Sequence, residues 1–314
     1  MLDSRPIRHR ACQCIWATVT ALRLAWSLIL KRFPPSGPLV VPFDEGRSRI
    51  YADMRTAFGR QLYRYRGNDP DLAFVRAHLQ PGEVFVDGGA HVGMFTLVAA
   101  SAVGPDGMVC AFEPNPETFE MLRRNVELNG LMKPPPPGPS PPEGAAAACV
   151  KLHEEALGDR EGEAAFTVMD GDRAPWSHLG EGTEAPVSRT VKVRVTTLSS
   201  RIPREDWDRI GLIKLDLEGA EPAALRGMTP LLGLNRPDML IELAPEHLAR
   251  CGEAPLALVE LLRGHGYDLL QPTPDPLRWR RFEAAGVPEL PAERPNLLVT
   301  CSIGRLAERG IRTS

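Results

Sequence analysis

Two stretches decide the fold: Val84-Phe-Val-Asp-Gly-Gly-Ala-His-Val-Gly93, and after it Ala111-Phe-Glu-Pro-Asn-Pro116. Each begins as a short apolar run and stops at an acid, Asp87 in the first and Glu113 in the second. Glycines Gly88, Gly89 and Gly93 follow Asp87. This is the pattern of a buried parallel strand, a tight glycine turn, a helix, and a second strand tipped by a carboxylate. Such a unit builds a pocket for a nucleoside whose ribose a carboxylate can grip.

Outward from this pair the pattern continues. The helix after the glycine turn is predicted over about 94–102, and Met108–Phe112 is the second strand. Asn115 reads as an N-cap with Pro116 at the first helical position, and Gly130 closes that helix. Cys149–Leu152, Leu212–Leu215 and Met239–Leu243 are further strands, with Tyr267–Leu270 and Leu297–Thr300 as the last. Helices are predicted from Pro222 to about Gly227, over Leu256–Arg263 and, ahead of the pair, over Asp71–Leu79. Residues 49–65 alternate weakly and read as leading strands or a short hairpin. Ala164–Val168 and Val191–Val195 alternate apolar and polar side chains, which suits antiparallel strands with one wet face.

Strands alternating with helices predict an α/β fold, a doubly wound, mostly parallel seven-stranded sheet with an added antiparallel hairpin. Ligands of such sheets sit outside the carboxyl ends of the strands. Asp87, Glu113, Asp216 and Glu242 all fall at or near those ends.

Composition bounds the rest. With 43% hydrophobic and 25% charged residues, the chain is an ordinary globular one. A net charge of −3 gives no basic field for nucleic acid, so no nucleic-acid partner is expected. Proline is abundant, 31 in 314 residues, and much of it reads as loop. Residues 133–148 form a proline-rich surface insertion, read as disordered. The six cysteines form no Cys-x-x-Cys pair, and a reduced, cytoplasmic compartment is the simplest reading.

The N-terminal segment, residues 1–33, carries one apolar helical stripe: Ile15, Val19, Leu22, Trp26, Ile29 and Phe33. Arg23 in its middle would be costly in a spanning helix. Two readings stand: an amphipathic helix packed on the domain, and an interfacial helix touching anionic lipid through residues 11–33. Residues 34–79 then read as a linker with leading elements, and 80–305 as the main domain.

The chemistry follows from the glycine turn. Dinucleotide loops want Gly-x-Gly-x-x-Gly and a pyrophosphate close to the backbone. Here the middle spacing is missing, and Asp87 puts a carboxylate where a phosphate would approach. A carboxylate suits an ammonium or sulfonium group instead, and S-adenosylmethionine carries both. Glu113, about twenty residues beyond Gly93, can accept both ribose hydroxyls. An NAD(P)-dependent oxidoreductase and a non-catalytic nucleoside-binding module are the alternatives on the same fold.

Asp87–Gly93 resembles the S-adenosylmethionine loop of class I methyltransferases, and further segments resemble the FkbM family of those enzymes. They are Phe112-Glu-Pro-Asn-Pro116, Ala156-Leu-Gly-Asp159, Val195-Thr-Thr-Leu198, Ile213-Lys-Leu-Asp-Leu-Glu-Gly-Ala-Glu221, Ile241-Glu242 with Pro245-Glu-His-Leu248, and Asn296-Leu-Leu-Val299. The resemblance runs in order over about residues 80–300. It departs at His91, where an Asn is common, and at Ser199, where an Asp is frequent.

The resemblance implies an S-adenosylmethionine-dependent methyltransferase, O-methylating a hydroxyl of a small molecule, glycan or lipid-linked acceptor. The cofactor set it implies is Asp87, Gly88, Gly89, Ala90, Gly93, Thr96, Glu113, Pro114, Asn115, Ala156, Leu157 and Asp216. Asp216, at the end of its strand, is the first candidate for the base that a hydroxyl acceptor needs, followed by Glu218 and Glu221 in the turn beyond. Asp216 and Glu242, on adjacent strand ends, are also candidate ligands for a divalent metal. Lys214, inside an apolar strand, reads as a structural partner of a carboxylate. His91 and His247 read as structural hydrogen-bonders.

Overall fold

The computed structural model describes residues 22–132, 148–169, 177–180, 187–283 and 295–314. Two compact units divide between Asp69 and Pro70.

In the first unit, residues 22–32 are helical. Four members of the predicted stripe fall in or beside this helix, and Leu22, Trp26, Ile29 and Phe33 are all exposed. Ile15 and Val19 lie outside the described residues. No helix among the described residues is long and apolar enough to cross a membrane.

Strands β1 (Leu39–Phe43) and β2 (Ser48–Ala52) pair antiparallel from Leu39↔Ala52 to Phe43↔Ser48. Val41, Phe43, Ile50 and Ala52 are buried. The hairpin therefore lies earlier than the stretch predicted for it. The second half of that stretch is helix α1 (Ala57–Tyr65), because the Thr56 hydroxyl accepts the Gly59 N–H at 2.9 Å and caps it.

The second unit opens with α2 (Pro70–His78), which sequence placed among the leading elements. Asp71 ties it to the sheet strand bearing Asn296, whose Nδ2 donates to Asp71 Oδ2 at 2.8 Å. The sheet is built from β3 (Val84–Gly88), β4 (Met108–Phe112), β5 (Cys149–His153), β10 (Ile210–Leu215), β11 (Asp238–Glu242), β12 (Asp268–Pro272), β13 (Arg278–Arg281), β14 (Asn296–Thr300) and β15 (Arg312–Thr313). Their spatial order is β15-β13-β12-β14-β11-β10-β3-β4-β5. Strands β11, β10, β3, β4 and β5 run parallel, and β14 is antiparallel to both its neighbours.

The sheet thus has nine strands, where seven were expected. The additions are β13 and β15 at the edge. In β13, only Trp279 of Arg-Trp-Arg-Arg is buried, so no apolar run marks the strand. The expected hairpin is likewise part of a larger element. Strands β7 (Gly162–Met169) and β9 (Val187–Thr196) pair antiparallel, but β6 (Ala156–Leu157) and β8 (His178–Leu179) extend them to a four-stranded sheet ordered β6-β9-β7-β8. The proline-rich insertion lies outside the described residues except for Ala148.

The central strands are buried along their whole length, as parallel strands covered on both faces are. Val84, Val86, Cys110, Phe112, Ile213, Leu215, Ile241 and Val299 share one core with Leu225, Leu248, Leu258 and Leu262. Leu225 belongs to α5 (Glu221–Gly227), which α6 (Thr229–Leu234) follows. Leu248 lies on α7 (Pro245–Arg250), and Leu258 and Leu262 on α8 (Pro255–Gly264). Helices α3 (Met94–Val103), α4 (Pro116–Leu128) and α9 (Ile303–Glu308) also belong to the unit, with a single helical turn at Leu198–Arg201.

From β3 the chain winds outward through β4 to β5, then returns to β10 on the other side of β3 and proceeds to β11. The order reverses between β3 and β10. That switch point is where an open α/β sheet leaves a crevice for a ligand.

Candidate active site

At the carboxyl end of β3 the chain turns sharply into α3. Gly89 has φ +73°, and a Cβ there would stand 1.9 Å from the Asp216 carbonyl oxygen. Gly93 has φ +95°, and its Cβ would meet Leu122 at 2.7 Å. Both positions demand glycine on conformation, and Gly89 also on space. His91 takes φ +50° between them.

The amides of the loop are already committed. Gly89 and Ala90 N–H both donate to the Phe112 carbonyl, at 3.0 and 2.9 Å. His91 N–H donates to Glu113 Oε2 at 2.9 Å, and Asn115 N–H to Glu113 Oε1 at 2.9 Å. Glu113 is therefore gripped by a loop on each side. Burial, with some repulsion from Asp87, raises its pKa to about 7, against the two N–H bonds and Lys214, which lower it. Burial holds the His91 imidazole neutral, with its pKa lowered to about 4.

Asp87 is fully buried, and its Oδ2 accepts the Thr96 hydroxyl at 2.6 Å. Its Oδ1 has no hydrogen-bond partner and lies 3.9 Å from Lys214 Nζ. Burial lifts this carboxyl above the usual range, against the pull of Lys214. Asp87 and Lys214 are register partners on neighbouring parallel strands. Lys214 Nζ also stands 3.2 Å from Asp216 Oδ2 and 4.7 Å from the centre of the Phe95 ring. Burial disfavours the ammonium, but Asp216 and Asp87 together raise its pKa and keep it charged.

Most of the predicted cofactor set meets here. Asp87, Gly88, Gly89, Ala90, Gly93 and Thr96 form the turn. Glu113 and Pro114 lead to Asn115, whose Oδ1 caps α4 by accepting Glu117 N–H at 3.2 Å. Ala156 and Leu157 are buried in β6, and a Cβ on Gly88 would stand 3.1 Å from Leu157 Cδ1. Asp216, about one third exposed, closes the row on the far side of β3.

Among the predicted catalytic residues, Glu221 turns inward. Its Oε1 accepts Leu217 N–H at 2.6 Å and Gly219 N–H at 3.4 Å, and it is 1% exposed. It holds the loop that carries Glu218. Burial, with repulsion from Glu242, raises its pKa to about 8. Glu218, at φ +56°, reaches instead toward β11. Its Oε2 lies 3.0 Å from His247 Nδ1, and Glu242 Oε2 lies 3.1 Å from the same nitrogen. Burial, then repulsion from Glu242 and Asp216, raises the Glu218 pKa to about 10.

Sequence suggested Asp216 with Glu242 as metal ligands. In the structure Asp216 pairs with Lys214, and Glu242 groups with Glu218 and His247. His247 was assigned only a structural bond from sequence. Its place four residues beyond Leu243, on the helix after β11, was the available signal.

An S-adenosyl ligand fits these residues. The buried Asp87 Oδ1 lacks a donor, and Glu113 has a carboxylate held in place at a strand tip beside a loop that admits no side chain at Gly89. Of the chain's own groups, Glu113 suits ribose hydroxyls, and the Asp87 and Asp216 carboxylates are balanced by Lys214 between them.

The model of the methyltransferase FkbM domain matches residues 87–269, more than half of the chain. "Methyltransferase 1" of Beauveria bassiana is 28% identical over 174 residues, covering 50% of this chain and 63% of its own. "Methyltransferase sdnD" of Sordaria araneosa is 28% identical over 181 residues, covering 50% and 65%. The matches thus span less than two thirds of either of these two relatives. "31-O-demethyl-FK506 methyltransferase FkbM" of Streptomyces tacrolimicus is 27% identical over 234 residues, covering 68% of this chain and 84% of its own. The solved structure of a methyltransferase FkbM from Methylobacillus flagellatus has 14% identity and a TM-score of 0.42, covering 77% of this chain and 53% of that one.

Proposed function

The chain belongs to the FkbM-domain methyltransferase family, and from that premise we propose that it binds S-adenosylmethionine and methylates a hydroxyl oxygen. The acceptor classes that fit are a small molecule, a glycan or a lipid-linked hydroxyl. The observation that carries the cofactor is the pairing of the loop with Glu113. The Gly89, Ala90 and His91 amides, which a pyrophosphate would need, are spent on Phe112 and Glu113. What they present is a carboxylate, which suits a ribose in either kind of nucleotide. The spent amides alone weigh against a nicotinamide dinucleotide.

S-adenosylmethionine supplies a methyl group on a sulfonium, whose C–S electron pair stays with sulfur on transfer. The residues of this chain orient and take up a proton. Glu113 fixes the nucleoside by its ribose. Asp216, half in contact with Lys214 and partly exposed, receives the acceptor's hydroxyl proton. Lys214 Nζ, 3.2 Å from Oδ2, holds that carboxylate in place. The Streptomyces relative is named for 31-O-demethyl-FK506, which supports oxygen as the acceptor atom here. The test is thermal melting with S-adenosylhomocysteine and with NAD. Stabilisation by the first alone supports the proposal, and stabilisation by NAD alone overturns it.

A further inference from the structure

Beyond the nucleoside pocket, three side chains converge from three separate elements. Glu218 comes from the turn after β10, Glu242 from the end of β11 and His247 from α7. Their ligand atoms all lie within 4.8 Å of one another. Among the described residues they form the one such group of His, Cys, Asp or Glu.

The hydrogen bonding within the group does not close. His247 Nδ1 carries at most one hydrogen, yet two carboxylate oxygens stand beside it. One hydrogen cannot serve both: given to Glu242 at 3.1 Å, it leaves the enclosed Glu218 Oε2, 3.0 Å away, without a donor. Two carboxyl groups this close around one imidazole ask for a shared proton or a cation between them. The charges nearby do not supply one. Asp216 adds to the repulsion on Glu218 and Glu242, Arg250 acts on Glu218, and Lys214 is already shared with Asp216 and Asp87.

We propose that Glu218, Glu242 and His247 hold a divalent transition cation, with His247 Nδ1 unprotonated and both carboxylates as ligands. Two carboxylates and an imidazole suit Mn2+ or Zn2+ better than Mg2+, which prefers all-oxygen shells. Three protein ligands leave coordination positions open. The open positions suit the oxygen of the acceptor hydroxyl, whose acidity a bound cation raises. That role rests on the methyl-transfer reading above, whereas the existence of the site does not.

The test uses Mn2+ alone with the full chain, followed by electron paramagnetic resonance. Wild type is expected to bind one Mn2+ per chain, and a hundredfold excess of Mg2+ leaves it bound. Glu218→Gln, close in shape to the native side chain, and His247→Ala are each expected to weaken binding by at least about tenfold. Circular-dichroism melts confirm that the variants fold, and Glu218→Gln alone suffices if His247→Ala does not. S-adenosylhomocysteine affinity, measured in parallel by calorimetry, is expected to stay unchanged in Glu218→Gln. No stoichiometric Mn2+ binding by wild type, or equal binding by Glu218→Gln, overturns the cation site. If wild type binds Mn2+ but not S-adenosylhomocysteine, the site stands and the cofactor reading falls.

Discussion

The backbone N–H of His91 donates to Glu113 Oε2 at 2.9 Å, so the turn after β3 aims the carboxylate at the tip of β4. One strand's loop thereby sets the ligand group of the next.

This relationship predicts a pH dependence. In the folded protein Glu113 titrates near 7, raised from 4.5 by burial first and by Asp87, and opposed by the Asn115 and His91 amides and Lys214. A raised carboxyl favours the folded state fully below pH 4.5, and that contribution is lost as pH rises through 7. Ligand binding runs the other way, because ribose hydroxyls donate best to the ionised form. S-adenosylhomocysteine affinity is expected to rise about tenfold from pH 6 to pH 8. Calorimetry across that range checks it; a flat profile contradicts the ribose role.

The Thr96 hydroxyl donates to the buried Asp87 Oδ2 at 2.6 Å, and the Thr96 backbone amide also faces that carboxyl. Thr96→Val removes the hydroxyl donor and keeps the amide. The expected cost is about 2 kcal/mol, and Tm falls by about 4–8 °C in a unit of this size. A melt unchanged within about 1 °C would count against the assignment.

Gly89→Ala places a Cβ 1.9 Å from the Asp216 carbonyl, so the turn must move. Gly104→Ala, also at positive φ but with open space, is the control and costs about 1–3 kcal/mol of backbone strain. S-adenosylhomocysteine binding is expected to be lost in the first and kept in the second. Equal binding by both variants would show that the turn does not shape the pocket.

Lys214 stands between Asp87 and Asp216 and is 1% exposed. Lys214→Met strands Asp87 in the core, at an expected cost of about 3–5 kcal/mol. Adding Asp87→Asn removes the stranded charge and recovers part of that loss. Denaturant unfolding of both variants measures it, and a double variant no more stable than the single one refutes the pairing.

The central sheet was legible in the sequence because its strands are apolar runs buried on both faces. Val84, Met108, Cys149 and Met239 each fall within one residue of an observed strand start. The carboxylates at the strand tips were legible for the same reason, since an acid ending such a run must reach a polar edge. The edge strands were not, because Arg278–Arg281 shows one buried residue among three arginines. Helix α1 was missed although Thr56 and Gly59 carried its cap. The Glu218–Glu242–His247 group was illegible as a unit. Its members come from three elements, and only the register of β10 against β11 brings them together. Glu221, grouped with Glu218 by spacing, is spent instead on the loop amides of Leu217 and Gly219.

The most direct measurement is calorimetric titration of S-adenosylhomocysteine into wild type and Glu113→Ala. Removing a carboxylate that accepts ribose hydroxyls costs about 2–3 kcal/mol, or roughly 30- to 150-fold in Kd. Wild type is expected to bind one ligand per chain, and the variant to bind at least about thirtyfold more weakly while still melting cooperatively. An unchanged Kd in a folded Glu113→Ala protein would contradict the ribose role of Glu113.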